Sequence, residues 1–298
     1  MNPSKLQWSS SLMVVLLGIC LQFGMSAAQT LQAPMSAPRD FGMLGVIGDP
    51  QISSGLFNNP AGMSRSFVYA AEGQYLRLAK RQLNVMGFNV VDSKTQPSLA
   101  VGIGYGYGFT DKSADFDITS HDARLALSKT VIDNRLFVGV GFRYIRETVG
   151  TDDAAEVMDG FTLDTGLLFA LTESFALGAV GQNLLAVNGL PRRAGGGVAI
   201  RAQSFVLDGD ILVDFDTKAG EKSLVYRVGT EFLIGESVPL RAGFEANQAT
   251  EAQYVAGGLG FLQTQGARGN QLNLSYKQRV DRTDEVESVL AVGVTMFL

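Results

Sequence analysis

Along much of the chain, large apolar residues alternate one by one with small or polar ones. Residues 99–109 place Leu99, Val101, Ile103, Tyr105, Tyr107 and Phe109 on one face of an extended strand. Ala100, Gly102, Gly104, Gly106 and Gly108 fall on the other. Residues 205–215 divide the same way, with Phe205, Leu207, Gly209, Ile211, Val213 and Phe215 against Val206, Asp208, Asp210, Leu212 and Asp214. Successive side chains of a strand point to opposite sides, so each run has a greasy face and a small or polar one. The pattern predicts fourteen strands, at 66–77, 81–91, 98–109, 120–130, 135–147, 160–171, 174–184, 194–203, 205–216, 222–234, 237–247, 252–263, 269–279 and 286–298. They exceed the roughly 5–6 residues of a globular strand and match the roughly 9–11 that cross a bilayer at a tilt. A soluble sandwich also alternates. A long-stranded sheet closed on itself, however, satisfies every backbone hydrogen bond, as hydrocarbon requires. The fold class expected is all-β, a transmembrane antiparallel β-barrel of about 14 strands. The rival is a soluble periplasmic β protein.

The first 28 residues follow another rule. Lys5 is the only charge before an apolar run from Leu12 to Phe23, and Ser26-Ala27-Ala28 supplies small residues before Gln29. This is the layout of a cleaved secretory signal, and the run is short of the roughly 20 apolar residues of a membrane helix. The expected organisation is a signal peptide at 1–28, an N-terminal periplasmic or lumen segment at 29–65, and the barrel at 66–298 in the bacterial outer membrane. Cys20, the one cysteine, falls inside the signal. The processed chain is then expected to hold no disulfide, zinc–thiolate site or cysteine nucleophile.

With both termini periplasmic, the connections at 110–119, 148–159 and 185–193 face outward and are longer than the turns at the other rim. Thr172-Glu173 and Ser204 make tight turns at the other rim. The acidic run Thr151-Asp152-Asp153-Ala154-Ala155-Glu156 reads as a solvated loop, since its carboxylates lack calcium-loop spacing. A net charge of −5 with 18% charged residues argues against a nucleic-acid partner, which would need a basic face.

The polar strand faces, gathered together, give the expected lumen lining. It comprises Glu72, Gln74, Asp122, Arg124, Arg143, Asp164, Arg201, Asp208, Asp210, Asp214, Arg227, Glu231, Arg241, Glu245, Asn273, Ser275 and Lys277. Both signs occur, which suits a wet interior or one that grips an inserted segment through charge-assisted hydrogen bonds. These charges could select solutes, or only solvate and brace the wall. His121, the one histidine, points away from its neighbours Ser120 and Asp122, so they cannot form a Ser–His–Asp triad. No catalytic residue, cofactor or metal is expected, and the chain is read as a non-enzyme. The glycines between Gly102 and Gly108 lack the helix that follows a phosphate loop. In a strand they allow close approach of another backbone.

Two segments carry resemblances. In the last strand, Leu290, Val292, Val294, Met296 and Leu298 share the greasy face. Gly293, Met296, Phe297 and Leu298 resemble the C-terminal assembly signal of outer-membrane barrels, with Leu298 standing where the terminal aromatic is usual. Before the first strand, Asn58-Asn59-Pro60-Ala61-Gly62-Met63 resembles the Asn-Pro-Ala-Gly motif of the FadL-type transporters and the related PorV/PorQ-type barrels. The stretches Asp159 to Gly166, Gly178 to Leu184, Leu190-Pro191-Arg192-Arg193 and Arg241 to Phe244 are similar to later segments of that family. The resemblance implies a fourteen-stranded barrel with an N-terminal plug in its lumen. It implies one of two roles: passive passage of small, hydrophobic solutes, or help in secreting or anchoring partner proteins. The short outer loops depart from the large binding lid of FadL-type members. The partners expected are outer-membrane lipid, the barrel-assembly machinery, and either a small hydrophobic solute or a secreted protein.

Overall fold

The structure, a computed structural model, describes residues 35–298 apart from 97, 115–116, 151–154, 219, 266–267 and 283–286. The signal peptide read at 1–28, the start of the 29–65 segment and residues 151–154 of the acidic run lie outside the described residues.

Fourteen strands form one ring: β1 (Tyr69–Leu78), β2 (Leu83–Asp92), β3 (Leu99–Thr110), β4 (Ile118–Ile132), β5 (Leu136–Val149), β6 (Ala155–Ala170), β7 (Phe175–Gln182), β8 (Arg193–Ala202), β9 (Phe205–Lys218), β10 (Glu221–Ile234), β11 (Val238–Asn247), β12 (Ala252–Gln265), β13 (Arg268–Arg279) and β14 (Ser288–Phe297). Each pairs with its neighbours in sequence, and β1 pairs antiparallel with β14 to close the barrel. Closure leaves no open strand edge in the hydrocarbon. The Leu298 N–H donates to Tyr69 O, so the barrel begins and ends at one rim.

Alternation sets the two faces. On β3, Ile103 is 53% exposed while Ala100 is fully buried; on β9, Ile211 is 53% exposed while Leu212 is fully buried. A large apolar side chain left open on every strand has a low-energy home only in lipid.

Three features differ from the sequence reading. Most of the long outer connection expected at 148–159 is strand. The β5–β6 ladder runs on through Thr148↔Glu156 and Val149↔Ala155, past a bulge after Glu147, so only 150–154 link the strands. Polar residues at the rim looked like loop, but a ladder extending beyond the bilayer has no need of apolar side chains. Next, β7 stops at Gln182 and pairs with β6 only from Thr165↔Gly181 to Ala170↔Ala176. Beside the rest of β6, residues 183–192 take over. The Leu184 N–H donates to Leu163 O, and Thr162 Oγ1 exchanges hydrogen bonds with the Leu185 backbone. Finally, the interior is not uniformly polar. Leu76, Leu78, Leu83, Val85, Val91 and Val289 point inward and are buried in one cluster. They follow from the parity of Glu72 and Gln74, carried four residues further along β1 and across the ladder.

Inside the ring lie α1 (Pro38–Met43), α2 (Ile52–Phe57) and a 3₁₀ helix (Pro60–Arg65). Pro38 and Pro60 each open a helix, where a missing N–H costs nothing. Helix α1 packs against β10–β14, α2 against β2–β4 and the 3₁₀ helix against β3–β6. The N-terminal segment therefore spans the lumen from one wall to the other.

The position of the lipid belt has a direct consequence. Ile103→Arg puts a charge mid-strand on the outer face and is expected to destabilise the barrel by about 2–4 kcal/mol. Urea unfolding of the vesicle-reconstituted protein measures this; an unchanged midpoint would place Ile103 away from hydrocarbon.

Candidate functional site

The chemistry of the lumen centres on how the inserted segment is held. Asp208 and Asp210 lie two apart on β9, so both point inward. Asp210 accepts hydrogen bonds from Val46 N (2.9 Å) and Ile47 N (3.2 Å). Asp208 accepts from Gly48 N (3.4 Å) and Asp49 N (2.5 Å). Two wall carboxylates thus engage four consecutive backbone N–H groups of a stretch that has no helix or ladder to satisfy them. Gly48 is required here: a Cβ would come within 2.7 Å of Ala199 N and 2.8 Å of Val198 C in β8.

The Asp49 side chain, 1% exposed, continues the grip. It pairs with Arg65 of the same segment (2.8 Å), with Arg39 (3.6 Å) and with Arg201 on β8. Arg39 also meets Glu231 (3.3 Å), and Glu231 meets Arg241 (2.6 Å). Wall and segment therefore share one buried network of alternating charge. Such a network is costly to break, because removing one member strands its partners without water.

The motif at 58–63 forms the second hold. The Asn59 side chain caps the 3₁₀ helix by accepting from Ala61 N (3.2 Å), and donates to Ile47 O (3.0 Å) and Leu167 O (3.3 Å). Asn58 donates to Asp40 Oδ2 (2.7 Å), and Gln182 of β7 donates to Asn58 O (3.0 Å). Asp40 also accepts from Ser36 and Ser54. Burial pushes its carboxyl up, against the opposing pull of Arg39. Pro60 and Ala61 lie against Gly139 and Gly166, Gly62 against Pro50, and Met63 against Gly102. Ser64 and Ser128 Oγ are 2.7 Å apart.

Above this plug, toward the rim opposite the termini, is a cavity of about 290 Å³. Met35, Phe41 and Phe57 line it alongside Leu78 and Val289. Its other walls carry Arg81, Arg124, Arg143, Arg193, Arg227, Lys277 and Arg279, with Asp164, Glu245 and Glu287. Asp122 is shared by Arg124 (3.0 Å) and Arg143 (2.7 Å), and Glu245 by Arg227 (2.8 Å) and Lys277 (3.2 Å). The Arg124 guanidinium sits 5.0 Å over the Phe57 ring.

The remaining sequence-derived positions fall as follows. Glu72 accepts from Asn89 and Thr295 across the β1 seam, and Asp214 pairs with Arg193. Asp164 accepts from Asn183 N, and Arg241 donates to Asn273. Gln74 and Ser275 are buried on the inner wall. His121 lies on the outer face, hydrogen-bonded to Tyr105 (2.7 Å), while Ser120 and Asp122 are buried on the opposite one. Gly293 faces Pro38 of the plug; Met296 and Leu298 are exposed on the lipid side, and Phe297 pairs with Ala70 and Gly269. Arg39, Asp49 and Arg65 on the plug, and Arg193, Arg279 and Glu287 near the outer rim, were absent from the sequence-derived set. Strand parity could have supplied Arg193 and Arg279. Nothing periodic marks the plug residues.

Asp210→Ala removes the acceptor of two buried N–H groups, each worth about 1–3 kcal/mol when left unpaired. Amide exchange of Val46 and Ile47 is expected to quicken by at least tenfold while barrel amides stay protected. Unchanged exchange would mean that Asp210 does not hold the segment.

No family model matches the sequence, and no curated protein matches it. Solved structures do match in fold. A Pseudomonas aeruginosa FadL homologue superposes with a TM-score of 0.66 at 12% identity, over 88% of this chain and 98% of that one. The CymD monoaromatic hydrocarbon channel gives 0.66 at 12% identity, over 88% and 97%. The Pseudomonas putida toluene transporter TodX gives 0.63 at 12% identity, over 91% and 99%. The chain thus has the closed fourteen-stranded fold of these barrels.

Proposed function

We propose that the protein is a passive channel of the bacterial outer membrane for small solutes with an apolar part, and that residues 35–65 are the plug that must shift for passage. The observation carrying this reading is the plug itself. It crosses the lumen, and its stretch from Val46 to Asp49 is held to the wall by hydrogen bonds and ion pairs, to Asp208, Asp210 and Arg201, while Met35, Phe41, Leu56, Phe57 and Met63 pack in the apolar cluster with β1 and β2. Entering water can take over these hydrogen bonds as the stretch shifts, which the removal of a network member in the dry interior does not allow. The structural likeness to hydrocarbon channels supports the same reading. An accessory role in protein secretion draws no support from these likenesses.

The test is a lock. Ser64→Cys with Ser128→Cys replaces two oxygens 2.7 Å apart by thiols, tying the 3₁₀ helix to β4. Export with removal of 1–28 would leave these the only cysteines. Solute uptake into proteoliposomes is expected to fall by at least tenfold on oxidation and to return on reduction. Equal uptake in both states would show that the plug does not gate passage.

A further inference from the structure

The cavity above the plug has two chemically different sides. Phe41, Phe57, Leu78 and Val289 supply apolar surface. At three points on the polar side the cation stands nearer to water than the carboxylate it pairs with, while at Arg143 and Arg279 the order is reversed. Arg193 is 20% exposed against 0% for its partner Asp214; Arg227 and Lys277 are each 15% exposed against 7% for Glu245, which they share. The cavity lining as a whole carries seven basic side chains against three acidic ones. Asp214 is fully buried beside Arg193 and Glu245 is less exposed than either of its cations, so an entering solute meets these guanidinium and ammonium groups first. Guanidinium groups bind carboxylates through paired, charge-assisted hydrogen bonds. In a confined, partly dehydrated space such bonds are stronger than in water.

We propose that this cavity is a binding site for small amphipathic organic anions: a carboxylate against Arg193, Arg227 and Lys277, and a short apolar or aromatic body against Phe41, Phe57 and Leu78. This deepens the channel reading by naming its solute class. The size follows from the volume. About 290 Å³ equals roughly ten water molecules at about 30 Å³ each, enough for a body on the order of a dozen heavy atoms. A neutral hydrocarbon would use the apolar side and leave the cations without a solute partner. Inorganic phosphate would use the cations and leave the aromatic side wet. Only a molecule with both parts uses both sides.

The test is calorimetry on the detergent-solubilised full barrel, which needs no transport. The probes are 3-phenylpropionate, its neutral amide of the same shape, and inorganic phosphate. The acid is expected to bind at least tenfold more tightly than the amide or phosphate, and to weaken as salt is raised. Lys277→Gln leaves Glu245 paired with Arg227 and removes one cation from the lining. It is expected to weaken the acid about tenfold, the loss of one charge-assisted contact, and to leave the amide unchanged. Equal affinity for acid and amide overturns the proposal, as does phosphate binding as tightly as the acid. Both comparisons use the wild-type protein, so they stand even if the variant fails to assemble. Acid binding without uptake would sustain this site and reject the channel; uptake of neutral solutes without acid binding would do the reverse.

Discussion

Four backbone N–H groups, from Val46 to Asp49, have nowhere to go but two carboxylates on the wall. The constraint is elementary: a donor shut away from water must find an acceptor, and an irregular chain crossing a lumen has no ladder of its own. Asp208 and Asp210 supply the acceptors only because β9 places alternate residues on one face. Asp49 then turns its own carboxylate to Arg39, Arg65 and Arg201. The rest of the interior is arranged around that connection, with the apolar cluster of β1, β2 and β14 on one side and the paired charges of β8–β13 on the other.

The period-two pattern made the barrel legible. It is a one-dimensional signal repeated many times, and hydrocarbon tolerates few exceptions to it. The same parity put Asp208, Asp210, Glu231 and Arg241 inside. It could not say what they touch. The partners of Asp208 and Asp210 are backbone amides some 160 residues earlier, on a segment without periodicity, and a backbone N–H has no residue type to be recognised by. Leu76 and Leu78 are a different case. Their inward direction follows from Glu72 and Gln74 by counting twos, yet an apolar residue invites assignment to the lipid face. The ends of β5 and β6 were missed for the converse reason: Thr148, Glu156 and Asp159 are polar, and polarity at a rim imitates a loop.

The motif around Asn59 illustrates how a local signal acquires a distant purpose. Asn before Pro reads from sequence as a turn that opens a short helix, and it is one. Its amide also bridges to Ile47 O within the plug and to Leu167 O on β6, so the cap doubles as a tie between segments. Neither acceptor could be named without the fold.

The bare inner wall has a consequence of its own. Where Gly139, Gly166, Gly178, Gly229 and Gly243 face inward, plug atoms fill the space that a side chain would take. Such strands are short of cross-strand side-chain contacts on that face, and the inserted segment works as a mandrel around which the sheet is wound. Ejecting it whole would leave a slack, hydrated cylinder rather than an open pipe. Barrel and insert thus make one cooperative folding unit, and any passage through it has to run beside the insert by small local displacements.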